Sequence, residues 1–184
     1  MMRLAGCLLA LTYLSSYASA QPQAAAHETA LRDIQLPVQV KNDISKVVIS
    51  DDFDDSVGDD KQQQQLALES RAQILDVGFS IILVKAGPGN PTSGATGNGS
   101  VWIFKRVGNH AVLILSGFGS MVSVRSESHH GVHDISIYAN SSCCEGGVEI
   151  YAYNGVKYAP RLCYAVTQNE DGTATDGPPG KCDE

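Results

Sequence analysis

The residues best equipped for chemistry are His129, His130 and His133, which stand beside Asp134 and Glu127. Imidazole nitrogens with a carboxylate suit zinc or copper, and three such ligands with an open position make a catalytic metal site. His129 and His133 would share a face of a helix, but Gly131 and the β-rich flanks predict a turn between strands instead. An exposed turn is therefore the expectation. A metal-binding protein or metal-dependent enzyme using the cluster from His129 to Asp134 is the alternative. Nucleophilic catalysis has less support. Gly117-Phe118-Gly119-Ser120 has the wrong order for a nucleophile elbow, and His133 and Asp134, adjacent on a strand, would point to opposite faces.

A second set of reactive groups is the cysteines. Five occur, at positions 7, 143, 144, 163 and 182, with no C-x-x-C pair among them. A bond between the neighbours Cys143 and Cys144 would close a strained ring with the character of a redox switch, and ordinary disulfide geometry disfavours it.

Two further patches carry charge or glycine. Asp51, Asp52, Asp54 and Asp55 open an acidic run that reaches Asp60, which suggests calcium and, with it, a calcium-stabilised envelope structural protein. Gly58 falls at the wrong place for an EF-hand loop and no glutamate closes it, so a solvated charge run ahead of a helix is the plainer reading. The stretch from Gly87 to Gly99 lacks both the third glycine of G-x-G-x-x-G and a G-K-S/T ending, and reads as a strand connection. Trp102, Tyr151, Tyr153 and Tyr158 form a candidate stacking surface for a glycan or peptide, set against their commoner use as packing residues of a sheet.

The first twenty residues give an address. Arg3, an apolar run from Leu4 to Leu14, and Ala18-Ser19-Ala20 match a secretory leader cut before Gln21. Leu4-Ala5-Gly6-Cys7 spells a lipobox, but the apolar run follows Cys7 rather than preceding it, so no membrane anchor is expected after cleavage. The expected localisation is secreted or periplasmic, where Cys143, Cys144, Cys163 and Cys182 would oxidise. The net charge of −7 becomes about −8 once Arg3 is lost. That balance argues against nucleic acid and anionic lipid, both of which need a basic face.

The elements that must position these groups follow from composition and period. Residues 21–45 read as a flexible lead-in, with Val38-Gln39-Val40 and Lys46 to Ile49 as short extended pieces. Lys61 to Leu75 favours a helix, capped by Asp59 or Asp60. Strands are expected at Val77 to Lys85, Val101 to Val107, Ala111 to Leu115, Met121 to Arg125, Ile135 to Tyr138, Val148 to Tyr153 and Val156 to Tyr164. Short turn-rich connections make them an antiparallel meander. Residues 167–184 read as a flexible tail.

Asn154-Gly155 signals a two-residue hairpin turn. That register sets Tyr153 opposite Val156 and Tyr151 opposite Tyr158. It also sets Gly146 opposite Cys163, with Cys144 diagonally beside it, so the pairing expected is Cys144 with Cys163 and Cys143 with Cys182. A bulge near Gly146-Gly147 would exchange Cys143 and Cys144.

Three motifs occur in order: Trp102-Ile103-Phe104, Gly131-x-x-Asp134-Ile135 and Tyr151-x-Tyr153-Asn154-Gly155-x-x-Tyr158. In this order they resemble a group of secreted bacterial β-rich proteins of uncharacterised function, over roughly Val77 to Tyr158. The resemblance implies an extracytoplasmic β-rich fold and no assigned activity.

Together these readings predict one α+β domain over residues 46–166: a helix followed by a meander of about five to seven antiparallel strands, clipped by disulfides. The function expected is a non-enzymatic binding or inhibitor-like module, with no cofactor and with a protein or envelope component as partner.

Overall fold

The computed structural model describes residues 28–53, 57–94, 97–169 and 173–182. The expected leader over residues 1–20 lies outside the described residues, as do Asp54 and Asp55 of the acidic run.

Val40, Ile44 and Val48 recur every fourth residue and are fully buried, which places them on one stripe of a helix, α1 (Val38–Asp52). The extended pieces expected at Val38 to Val40 and Lys46 to Ile49 are thus both helical. Their β-branched residues favour strand locally, but burying that stripe against a sheet outweighs a propensity of a few tenths of a kcal/mol per residue. The second helix, α2 (Asp60–Leu68), begins where expected: Asp59 caps it by accepting from the Gln62 amide at 2.9 Å. It ends well short of Leu75, because Arg71 to Asp76 form a strand paired along its whole length.

The strands are β1 (Thr29–Ala30), β2 (Arg71–Asp76), β3 (Ser80–Lys85), β4 (Gly99–Val107), β5 (His110–Gly119), β6 (Met121–His129), β7 (Val132–Asn140), β8 (Glu145–Tyr153), β9 (Tyr158–Gln168) and β10 (Ala174–Asp176). They make two five-stranded antiparallel sheets, ordered β1-β2-β3-β4-β5 and β10-β9-β8-β7-β6. The α+β class and the antiparallel meander stand. The structure adds a second helix and divides the meander after β5, at Ser120.

The layers run helices, first sheet, second sheet. Val40, Ile44 and Val48 meet Ile82, Val84, Trp102 and Phe104 on one face of the first sheet. The other face sets Ile81, Leu83, Val101 and Ile103 against Ile135, Ile137, Tyr151 and Tyr153 of the second. With both its faces covered, the first sheet carries unbroken apolar runs, Ile81 to Val84 and Val101 to Phe104. A side chain at Gly119 would place its first carbon 2.5 Å from both Ile137 Cγ2 and the Tyr138 carbonyl, so glycine there lets the sheets close on each other.

The final hairpin differs from expectation. Asn154 to Lys157 form a four-residue loop, with the Asn154 carboxamide accepting from the amides of Val156 and Lys157 at 3.0 Å. Tyr153 therefore faces Tyr158, and a bulge near Arg161 sets Glu149 opposite Cys163 and Gly146 opposite Val166. Cys144, in the turn before β8, therefore lies well beyond Glu149, which faces Cys163, and the bond expected between them does not form. Cys163 pairs with Cys182 instead. The C-terminal segment read as a tail returns alongside β9: β10 pairs with it, and Gly180 exchanges two backbone hydrogen bonds with Cys163.

Candidate functional site

The two outer faces of the layered stack differ. Helices cover the first sheet, whereas no described element covers the outer face of the second. Alternation along β7 sends Ile135 and Ile137 inward and Asp134, Ser136 and Tyr138 outward. Along β8 and β9 the cross-strand pairs Val148–Tyr164 and Gly146–Val166 share that outward face. These side chains line an open groove of about 370 Å³, with Met121 of β6 on one side and Asp176 of β10 on the other. Gly146 makes room for it, since a side chain there would meet the Tyr138 ring at 2.5 Å. Beside Tyr164, Arg125 is held by Glu127 at 3.2 Å; burial opposes its charge, but Glu127 and the Tyr164 hydroxyl outweigh that and favour the cation.

At the β6–β7 end of the same face lies Asp134, fully buried and accepting from His129 Nδ1 at 2.7 Å and from Arg161 at 3.3 Å. The candidate metal cluster is thereby divided. His130 occupies the turn with a φ of 53°, and His133 is sent by alternation to the side of β7 opposite Asp134. Among the described residues no three His, Cys, Asp or Glu side chains are placed to hold a metal ion. His129 and Asp134 remain a pair, braced by Arg161, and the pair orders the hairpin end.

The acidic run is used within the fold. Asp51 accepts from Trp102 Nε1 at 2.8 Å, while Asp52 accepts from Ser100 Oγ at 2.6 Å and Thr92 Oγ1 at 2.8 Å. These carboxylates fasten the end of α1 to β4 and to the glycine-rich connection.

The aromatic stacking surface is overturned. Trp102, Tyr151, Tyr153 and Tyr158 are all buried; the three tyrosines belong to the core between the sheets and Trp102 to the helix-facing core. Tyr153 meets Tyr158 and Phe79 edge to face, with centroids 5.4 Å and 5.5 Å apart. Burial, together with the neighbouring Glu149, pushes the Tyr151 hydroxyl well above its ordinary value, as burial and Asp134 do for Tyr158. Those hydroxyls donate within the fold, Tyr151 to Glu149 and Tyr158 to the His133 carbonyl.

The aromatics that do face outward are Tyr138 and Tyr164. The period-two alternation through Ile135-Ser136-Ile137-Tyr138 was the signal available for the first, and Tyr164 needed the bulge in β9 to be known.

Cys143 and Cys144 are exposed in the β7–β8 turn, their sulfurs 2.9 Å apart. The turn is well held. The Asn98 side chain bonds both backbone groups of Asn140, at 2.7 Å and 3.0 Å, and the Gln168 amide donates to the Cys144 carbonyl at 2.7 Å.

Comparison with family models, with curated proteins and with solved structures finds no match to this chain. The disulfide suits a chain that meets an oxidising compartment, and no helix among the described residues is long and apolar enough to cross a membrane.

Proposed function

We propose that this chain is a secreted or periplasmic binding module, inhibitor-like in kind, that takes a basic segment of a partner protein on the outer face of its second sheet. The observation that carries the reading is the uncovered groove between Tyr138, Val148, Tyr164 and Val166. Tyrosines standing over an apolar floor offer large contact area at little entropic cost, the usual make-up of an interface centre. Met121 at the groove edge is 56% exposed, and Phe118 beyond the sheet junction is 53% exposed. A net charge of −7 steers a basic partner toward the chain, with Asp176 at the groove rim. The leader-like N-terminus, the disulfide and the resemblance to secreted β-rich proteins support the address.

Titration calorimetry at low salt against a basic secreted hydrolase, a lysozyme being the first to try, tests the reading. Binding should weaken with added salt. Tyr164→Ala should lose at least about tenfold in affinity, and Val148→Lys should lose more by setting a like charge against the partner. The absence of both binding and inhibition at low salt would overturn the basic-partner reading.

A further inference from the structure

Cys163 and Cys182 are bonded to each other, so among the described cysteines Cys143 and Cys144 have only one another. Their turn is a built structure rather than a loose tip. The amides of Ser141 and Ser142 both donate to the Glu145 carbonyl, at 2.9 Å and 3.1 Å, and Ser142 Oγ accepts from the amides of Cys144 and Glu145, at 3.3 Å and 3.1 Å. With Asn98 holding Asn140 and Gln168 holding Cys144, both thiols are presented to solvent side by side, 2.9 Å apart. Gln168 also lines the groove, so the turn that carries the thiols adjoins it.

We infer that Cys143 and Cys144 form a dithiol exchange site whose substrates are low-molecular-weight disulfides. The Cys143 thiolate attacks one sulfur of the substrate disulfide, forming a mixed disulfide and expelling the first thiolate. Cys144 gives its proton to solvent and attacks the Cys143 sulfur, closing the Cys143–Cys144 bond and expelling the second thiolate. Two protein thiols are oxidised by two electrons, and one disulfide is reduced to two thiols.

The order of attack follows from the local charges. The hydrogen bond that Cys144 shares with Cys143 and the charge of the attacking Cys143 thiolate, with desolvation and Glu145 alongside, hold the Cys144 thiol above its ordinary value, so Cys144 keeps its proton and follows as the resolving thiol. The bond formed would be labile. Consecutive Cα atoms lie about 3.8 Å apart, below the roughly 4.4–6.8 Å of ordinary disulfides, and a strained disulfide is readily reduced. Exchange, rather than bracing, is what such a bond serves; Cys163 and Cys182, with Cα atoms 4.9 Å apart, form the brace.

The test uses the full chain with a large excess of oxidised glutathione, which draws the closure of a strained bond forward, then acid quenching and peptide mapping by mass spectrometry. The wild type should release two equivalents of glutathione thiol per chain and yield a peptide cross-linked between positions 143 and 144. Cys144→Ser should stop at one equivalent, with glutathione retained on Cys143. Glutathione retained on both cysteines of the wild type, or chains joined to one another, would overturn the site. A second measurement needs no variant: one equivalent of phenylarsine oxide should bind both thiols with loss of water and shield them from alkylation. Thiols left open to alkylation would count against it equally. Neither measurement involves the groove's partner or the compartment, so a failed binding experiment leaves this result readable.

Discussion

Trp102 Nε1 donates to the Asp51 carboxylate across 2.8 Å, tying the last turn of α1 to the middle of β4. An acid at that end of a helix opposes the helix dipole, so the contact with Trp102 is what offsets its placement there. Asp52, one residue on, is bound in the same way by Ser100 and Thr92. The acidic run thereby becomes a clasp between the helix layer and the first sheet.

Asp51→Ala should cost about 1–3 kcal/mol, because the buried indole N–H is left without its acceptor. Urea denaturation of the variant beside the wild type measures it. Calcium at millimolar concentration should leave the wild-type melting temperature in place, since Asp51 and Asp52 would have to release partners in the fold to bind an ion. A clear upward shift that Asp52→Asn abolishes would restore the calcium reading.

Asp134 has no exposed surface and depends on His129 and Arg161 for its hydrogen bonds. Removing both partners leaves a buried carboxylate uncompensated. The double variant His129→Ala/Arg161→Ala should therefore lose about 3–5 kcal/mol. The two single variants should sum to less than the double, because either partner alone still serves the carboxylate. Strict additivity in a double-mutant cycle would show that Asp134 is not what joins them.

Two tyrosines on β8 and β9 should part company on substitution. Tyr153 is packed between Phe79 and Tyr158 in the core between the sheets, and Tyr153→Ala should cost about 3–5 kcal/mol. Tyr164 is half-exposed on the groove, and Tyr164→Ala should cost about 1 kcal/mol in stability while carrying the loss of partner binding. Thermal unfolding and calorimetric titration of the same two variants separate the roles.

Acid should loosen the contact between α1 and β5. Desolvation raises the Asp43 carboxyl, but hydrogen bonds from Gln39, the Ala111 amide and His110, with the charge of His110, outweigh it and hold the carboxyl below its ordinary value. A carboxyl depressed in the folded state stabilises above its unfolded pKa of about 3.9, and that stabilisation is lost as pH falls through the lower folded value. Melting temperatures of the wild type and Asp43→Asn should differ at neutral pH, stay apart down to about pH 4 and converge below it. A gap that persists in stronger acid would assign the contact to something other than the ionised carboxylate.

Much of the architecture was legible in the residues. Ile81 to Val84 and Val101 to Phe104 announce strands, Asp59 announces the start of α2, and turn residues at short intervals announce antiparallel connections. The misreadings share a cause. The stripe of Val40, Ile44 and Val48 was hidden behind β-branched residues because helix and strand propensities differ by less than the burial such a stripe gains. The hairpin after Tyr153 was set two residues short, since Asn154-Gly155 serves a two-residue turn and a four-residue loop equally well, and the bulge near Arg161 added a further step. From that register alone the cysteine pairing changed partners.

What the chain determines by itself is local: composition, the period of burial, the caps and turns, and the presence of four cysteines downstream of a leader-like start. Those depend on residues a few positions apart, so they can be read directly. Which face of each strand is covered was decided only when two sheets and a helix layer stacked, because period two shows that a strand has two faces without showing what lies against either. That stacking buried Trp102, Tyr151, Tyr153 and Tyr158, left Tyr138 and Tyr164 uncovered, and brought Cys182 back to Cys163. The chemistry open to this protein rests on those long-range choices of neighbour, which depend on free energies summed over the whole fold rather than on any short motif.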